Sequence, residues 1–355
     1  MRIAQVSPLY ESVPPQYYGG TERVVHFLTE ELVRQGHDVT LFASGDSVTQ
    51  ARLVAMCPHS LRRDPTSVDA LAHHLLMLER VFRAADEFDV LHFHIDYLHF
   101  PLSRRAGRPN VTTLHGRLDI ADLPPLYREF HDMPLVSISD AQREPLPEGR
   151  WLTTIHHGLP ADLLTLEERP GDYLAFLGRI SPEKRVDRAI EIARLAGWPI
   201  RIAAKIDAAD QAYFDQEIAP LFELPFVEYI GEISETEKQA FLGGARALLF
   251  PIDWMEPFGL VMIEAMACGT PVIAWPGGSV TEVLEHGVTG FIVETIDDAV
   301  KATRAIDTLG RRQVREVFDR RFTAARMARD YVAVYETLLS DHASPPQTRR
   351  PARVA

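Results

Sequence analysis

Apolar runs of strand length alternate with helix-length amphipathic segments along the whole chain. In the first half, IAQVSPL (3–9) precedes a segment from Thr21 in which Val24, Val25, Phe27, Leu28, Leu32 and Val33 recur at helical spacing. Gly36 closes that helix, since a glycine past the last turn takes the left-handed conformation freely, and VTLFA (39–43) follows as a strand. VLHFH (90–94), VTTLH (111–115) and LVSIS (135–139) are further strands, with helices expected near 68–85 and 124–131. The pattern restarts after Pro170. YLAFLG (173–178), IRIAA (200–204), VEYIG (227–231), ALLFP (247–251), VIAW (272–275) and FIV (291–293) form a second set of strands, with helices over 186–196 and 235–243. Strand, helix, strand in repetition predicts parallel sheets covered on both faces. The chain reads as α/β: two doubly wound, Rossmann-like domains, 1–165 and 166–322, joined near 160–170. A last amphipathic helix over about 323–340 carries Met327, Tyr331, Val334 and Leu338, and the polar, Pro- and Arg-rich stretch 341–355 is expected to be disordered.

Composition narrows the possible partners. A chain of 355 residues can build two cores. The net charge is −13 and both halves are acidic, which argues against nucleic acid or an anionic membrane as the main partner. Cys57 and Cys268 lie far apart and suggest neither a disulfide framework nor a zinc site. No apolar run reaches the roughly 18 residues of a membrane helix, and MRIAQVSPLY enters a strand pattern without a signal-peptide profile. A cytoplasmic protein is expected; the oligomeric state is open.

Open α/β sheets bind ligands at the carboxyl ends of their strands, and the unusual residue clusters fall there. In FLGRISPEKR (176–185), Arg179 and Lys184 suit the oxygens of a diphosphate, although a solvated loop with surface cations would read the same. In QYYGGTERVV (16–25), Gly19 and Gly20 permit close approach to a phosphate at a helix N-terminus. Neither the Walker pattern nor the dinucleotide fingerprint is present, and a plain turn is the simpler reading. His115 leaves its strand where it could face a ligand hydroxyl, or simply bond to backbone at the rim. His92, His94 and Asp96 alternate along one strand face in a pattern that suggests a metal site, but no fourth ligand stands out. The Tyr-rich loop 10–18 could shape an acceptor pocket or be a surface turn.

The stretch EPFGLVMIEAMACGTP (256–271) isolates two carboxylates, Glu256 and Glu264, in apolar surroundings. Pro257 disfavours helix at Glu256, so that residue belongs to a loop, while a helix starting near Phe258–Gly259 carries Glu264 in its second turn. Their separation would be about 12 Å along a helix axis, too far for the roughly 5–9.5 Å of a glycosidase acid/base pair. It suits a long ligand gripped at both ends. The amides near Phe258, Gly259 and Leu260 offer an anion site between them.

These motifs resemble the retaining glycosyltransferases of family 4, of GT-B fold. The resemblance runs from GGTE (19–22) through LHG (114–116) and GRISPEK (178–184) to EPFGLVMIEAMACGTPVIA (256–274) and WPGGSVTEVLEHGVTGFIV (275–293). It implies two domains facing each other across a cleft, the first for the acceptor and the second for a nucleoside-diphosphate sugar, with the helix at about 323–340 packed back on the first. Carried onto this chain, Arg179 and Lys184 would neutralise the diphosphate in place of a metal, and Glu264 would take the ribose hydroxyls. Glu256 and the Phe258, Gly259 and Leu260 amides would hold the sugar. Gly19 and Gly20 would approach the diphosphate from across the cleft, and His115 would reach the transferred sugar. Glu232 and Ile233 would meet the base, with Lys205 nearby. Arg185 departs from the family, where glycine is common. The implied reaction is metal-independent, cofactor-free transfer of a hexose from a donor, with UDP favoured, to an unidentified hydroxyl of a small molecule or saccharide, giving an α-glycoside. Its alternatives are an epimerase or hydrolase on the same fold, or a non-catalytic nucleotide-sugar sensor.

Overall fold

The computed structural model describes residues 1–17 and 19–343. Its first lobe is a seven-stranded sheet in the order β3-β2-β1-β4-β5-β6-β7. The strands are β1 (Arg2–Val6), β2 (Asp38–Ala43), β3 (Arg52–Ala55), β4 (Val90–Phe93), β5 (Asn110–Thr113), β6 (Pro134–Ser137) and β7 (Arg150–Thr154). The second lobe is a six-stranded sheet in the order β10-β9-β8-β11-β12-β13. Its strands are β8 (Leu174–Arg179), β9 (Ile200–Lys205), β10 (Val227–Gly231), β11 (Ala247–Phe250), β12 (Val272–Ala274) and β13 (Gly290–Ile292). Every pairing within the two sheets is parallel. Central strands such as β4, β5, β6 and β11 are buried throughout, as strands covered on both faces are; of these four β11 (ALLF) is apolar at every position, while His92, Asn110, Thr112, Thr113 and Ser137 are buried polar residues in the others.

Two strands escaped the sequence pattern. β3 and β7 are edge strands with half-exposed residues, so neither shows the continuous apolar signature of an interior strand. Helix Val186–Ala196 has the expected bounds, as does Glu235–Gly243. The expected helix near 68–85 runs over Ala70–Arg83, with His74, Met77, Leu78 and Val81 on its buried face. Val68, Leu71 and Leu75, apolar in the sequence pattern, are instead exposed. Helix Ala324–Ala343 extends past its expected end, so Asp341, His342 and Ala343 are helical and not part of a disordered tail; residues 344–355 lie outside the described residues.

Two features position the site. Strand order reverses between β1 and β4 in one sheet and between β8 and β11 in the other, opening a crevice at the carboxyl ends of those strands. Helix Ala324–Ala343 then returns from the second lobe and buries Met327, Tyr331, Tyr335 and Leu338. The Tyr335 hydroxyl lies 3.2 Å from Gln5 Nε2 and 2.8 Å from His92 Nδ1, while Tyr331 meets Thr113 Oγ1 at 2.9 Å. Its aromatic residues thereby complete the polar interior beside β1, β4 and β5. Within the described residues, no helix is long and apolar enough to cross a membrane.

Candidate active site

A cleft of about 980 Å³ lies between the lobes at these strand ends. Gly19, Gly20 and His115 line it from the first lobe; Arg179, Lys184, Lys205, Glu232, Ile233, Glu256, Phe258, Gly259, Leu260 and Glu264 line it from the second. Residues nominated from separate stretches of sequence thus share one cavity.

The wall carrying Glu256 is built by two loops. After β11 the chain turns through Asp253, whose N–H donates to the Glu183 carbonyl at 2.8 Å. Glu256 Oε2 then accepts from Lys184 Nζ at 2.5 Å and from Trp254 Nε1 at 3.0 Å. The same ammonium sits 4.8 Å from the Trp254 ring centroid, so indole and carboxylate together fix its place. Behind Glu256, Ser279 N donates to its carbonyl at 2.9 Å and Ser279 Oγ to the Phe258 carbonyl at 2.8 Å. Gly278 allows this approach: at φ 60° its added Cβ would lie 2.2 Å from the Glu256 carbonyl oxygen. Gly259, left-handed at φ 76°, caps helix Leu260–Ala267. That helix starts later than expected because Pro257 and the left-handed Gly259 keep the preceding residues out of it, and its first residues, Leu260 and Val261, line the cleft.

On the adjoining loop, Arg179 pairs with Glu183 at 2.8 Å, Asp207 at 3.4 Å and Asp210 at 3.5 Å. Lys205 pairs with Asp207 at 3.0 Å. Burial pushes the Asp207 carboxyl upward, but bonding to Lys205 and Arg179 outweighs it and holds the group below its ordinary range. Arg185, at φ 54°, keeps the left-handed backbone that a glycine would take. Its side chain turns to Asp187 at 2.8 Å and Asp253 at 3.0 Å, so the substitution also ties the Lys184 loop to the Glu256 loop.

Glu264 sits deeper. Its side chain is 3 % exposed and Oε1 meets Lys238 Nζ at 2.6 Å and Arg23 NH1 at 3.5 Å. Burial opposes its ionisation, yet the charges of Lys238 and Arg23 hold it below the usual carboxylate range. Neither cation stood out in the sequence. Lys238 lies on an amphipathic helix with ordinary surface lysine spacing, and Arg23 belongs to the other lobe.

On the first lobe, burial lowers His115 to about 3, so its imidazole is neutral. His115 Nε2 lies 2.9 Å from His94 Nδ1, and His94 Nε2 lies 2.8 Å from Gln5 Oε1. Because an amide oxygen only accepts, His94 carries its proton on Nε2 and His115 donates from Nε2. His115 also stacks on His157 at 5.3 Å, and His157 meets Phe258 edge-on at 4.8 Å, an aromatic contact across the lobes. His92 directs its two nitrogens to Tyr335 and Thr113, each at 2.8 Å, so the alternating histidines serve this internal network. Asp96 has φ 52°, which breaks the strand alternation, and lines the cleft. Tyr10 and Tyr17 line it too; Tyr18 lies outside the described residues.

The first lobe matches the family model described as Glycosyltransferase Family 4 over residues 18–176, and the second that described as Glycosyl transferases group 1 over 166–321. A glycogen synthase of Mycobacterium tuberculosis (strain ATCC 25618 / H37Rv) is 28 % identical over 395 aligned positions, covering 96 % of this chain and 91 % of that protein. A phosphatidyl-myo-inositol mannosyltransferase of Mycobacterium leprae (strain TN) is 26 % identical, covering 95 % and 97 %. Among solved structures, AviGT4, a glycosyltransferase involved in avilamycin A biosynthesis, superposes with a TM-score of 0.75 at 24 % identity, covering 96 % of this chain and 98 % of that one. Anabaena Alr3699/HepE in complex with UDP and glucose superposes with a TM-score of 0.71 at 20 % identity, covering 95 % and 100 %.

Proposed function

Because the chain belongs to the family 4-like glycosyltransferases of GT-B fold, we propose that it moves a hexose, with retention, from a UDP-sugar to a hydroxyl acceptor. The observation that carries this reading is the shared wall of Arg179, Lys184 and Glu256 beside the start of helix Leu260–Ala267. Departure of a nucleoside diphosphate breaks the bond between sugar C1 and a phosphate oxygen, and the electron pair leaves with the phosphate. Fixed cations and helix N–H groups stabilise that developing charge without reorganising. Arg179, Lys184 and the Leu260 end of the helix supply them, and in our reading they do the work of a divalent ion. Glu256, anchored by Trp254 and Lys184, binds sugar hydroxyls; Glu264 binds the ribose; Glu232 and Ile233 border the base. Lys205, beside Asp207, supports the Arg179 side of the diphosphate pocket.

The acceptor oxygen attacks C1 on the face the phosphate leaves, and its proton passes to the departing phosphate oxygen. No protein base is required, and an imidazole kept neutral by burial, His115, is suited to contacting a sugar hydroxyl and not to holding charge. UDP is favoured over GDP or ADP by the Anabaena structure, which holds UDP and glucose. A thermal-shift screen with UDP, GDP and ADP sugars, followed by NMR of the product's anomeric coupling, tests the reading. Stabilisation by UDP-hexose and an α-product are expected. A β-linked product would refute retention, and a rate abolished by EDTA would refute metal independence.

A further inference from the structure

Besides Glu282, which accepts from the N–H groups of Asp140 and Ala141, an ionic group joins the two lobes at the cleft itself. Arg23, on the first lobe's helix Gly20–Arg34, has a side chain only 11 % exposed and places Nε 2.9 Å from Glu235 Oε2 of the second lobe. Its NH1 lies 3.5 Å from Glu264 Oε1, and NH2 donates to the Tyr17 carbonyl at 2.9 Å. Lys238 completes the group, 2.6 Å from Glu264 and 3.3 Å from Glu235. Two cations therefore balance two carboxylates; Arg23, Lys238 and Glu264 are buried, while Glu235, at 29 % exposure, sits at the edge of the group. Glu235 and Lys238 share a helix whose start is fixed by a capping box at Ser234, so the second-lobe half of the cluster is rigid. Only Arg23 comes from the opposite lobe, and separating the lobes takes its charge away from both carboxylates.

We propose that Arg23 is a positioning residue: it holds the lobes closed over the nucleoside pocket by bridging Glu264 and Glu235, and it orders the Tyr17 side of the cleft through the same guanidinium. The catalytic consequence rests on reading Glu264 as the ribose carboxylate; the closure itself does not. Lys238 and Arg23 both meet Oε1, so Oε2 keeps lone pairs for ribose hydroxyls, and nucleotide and bridge can occupy Glu264 together. Nucleotide binding and closure then reinforce one another, since each favours the same arrangement.

The test uses the full chain with donor and acceptor fluorophores on Val48→Cys and Leu195→Cys, exposed positions of opposite lobes; the native Cys57 and Cys268 are buried. Transfer efficiency is read without ligand and through a titration with UDP, whose affinity is measured separately by calorimetry. Arg23→Ala is expected to lower the efficiency of the free protein, and saturating UDP to restore it. The UDP Kd should rise about threefold to thirtyfold, by the same factor as the closed fraction falls. Arg23→Lys, which keeps the charge, should recover most of both effects. Arg23→Gln repeats the measurement should the alanine variant fail to fold. Unchanged efficiency in the free variants overturns the proposal, as does weaker UDP binding with no change in efficiency. A parent protein that binds neither UDP, GDP nor ADP would refute the functional reading, while the ligand-free comparison would still decide the role of Arg23.

Discussion

Arg179 is held by Glu183, Asp207 and Asp210, so in the proposed reaction its planar fork would already be ordered. Preorganisation of this kind contributes most where charge develops during the reaction. Replacing Arg179 by alanine should lower turnover about 10- to 1000-fold, the effect of losing roughly 1.5–4 kcal/mol of charge-assisted bonding. Steady-state kinetics with the identified donor would measure it, and turnover within twofold of the parent would remove the leaving-group role. Residues such as Arg179, Lys184, Glu256 and Glu264 are legible in sequence because a charge in apolar surroundings or at a strand exit needs a reason. Trp254 and Lys238 give no such signal. An indole beside a proline-rich turn and a lysine on a helix look ordinary until folding sets the first against Lys184 and the second against Glu264.

At the scale of elements, the site depends on a loop that touches no proposed reacting atom. The Gly277–Gly278 turn packs on the backbone of Glu256, and Ser279 beyond it holds the carbonyls of Glu256 and Phe258. Gly278→Ala would set a methyl 2.2 Å from one backbone atom of Glu256 and 2.5 Å from another, at a left-handed φ. We expect a stability loss of about 1–3 kcal/mol in denaturant unfolding, together with at least tenfold slower transfer (about 1.4 kcal/mol). A variant that unfolds and turns over like the parent would show that the loop can shift freely. Alternation of strands and helices reveals the sheets because interior parallel strands are buried on both faces. It does not reveal β3 and β7, whose half-exposed residues lack that constraint, nor the start of helix Leu260–Ala267, which the left-handed Gly259 decides.

At the scale of the whole molecule, buried histidines should make stability fall as the solution turns acid. His92, His94, His99 and His157 are held well below the ordinary imidazole range by burial, and His115 is lowered to about 3. A histidine with a depressed folded-state pKa takes up its proton on unfolding at any pH between its folded and unfolded values. Its contribution is therefore complete above the unfolded value and is lost as pH falls from about 6.5 toward the folded value, by about 1.4 kcal/mol per group and pH unit. Thermal melts between pH 7.5 and 5 should show a steep fall in Tm below pH 6.5, and a flat profile would mean that these rings are already protonated or hydrated when folded.

Helix Ala324–Ala343 has a consequence in time as well as in space. Translation supplies all seven strands of the first lobe, and then the entire second lobe, before Tyr331 and Tyr335 emerge to meet Thr113, Gln5 and His92. A nascent first lobe thus carries one imidazole, one amide and one hydroxyl, of His92, Gln5 and Thr113, whose native phenolic partners have yet to be synthesised. These three hydrogen bonds can form only after a segment made much later has been synthesised, so the first lobe's polar interior is completed by the last of its parts in chain order.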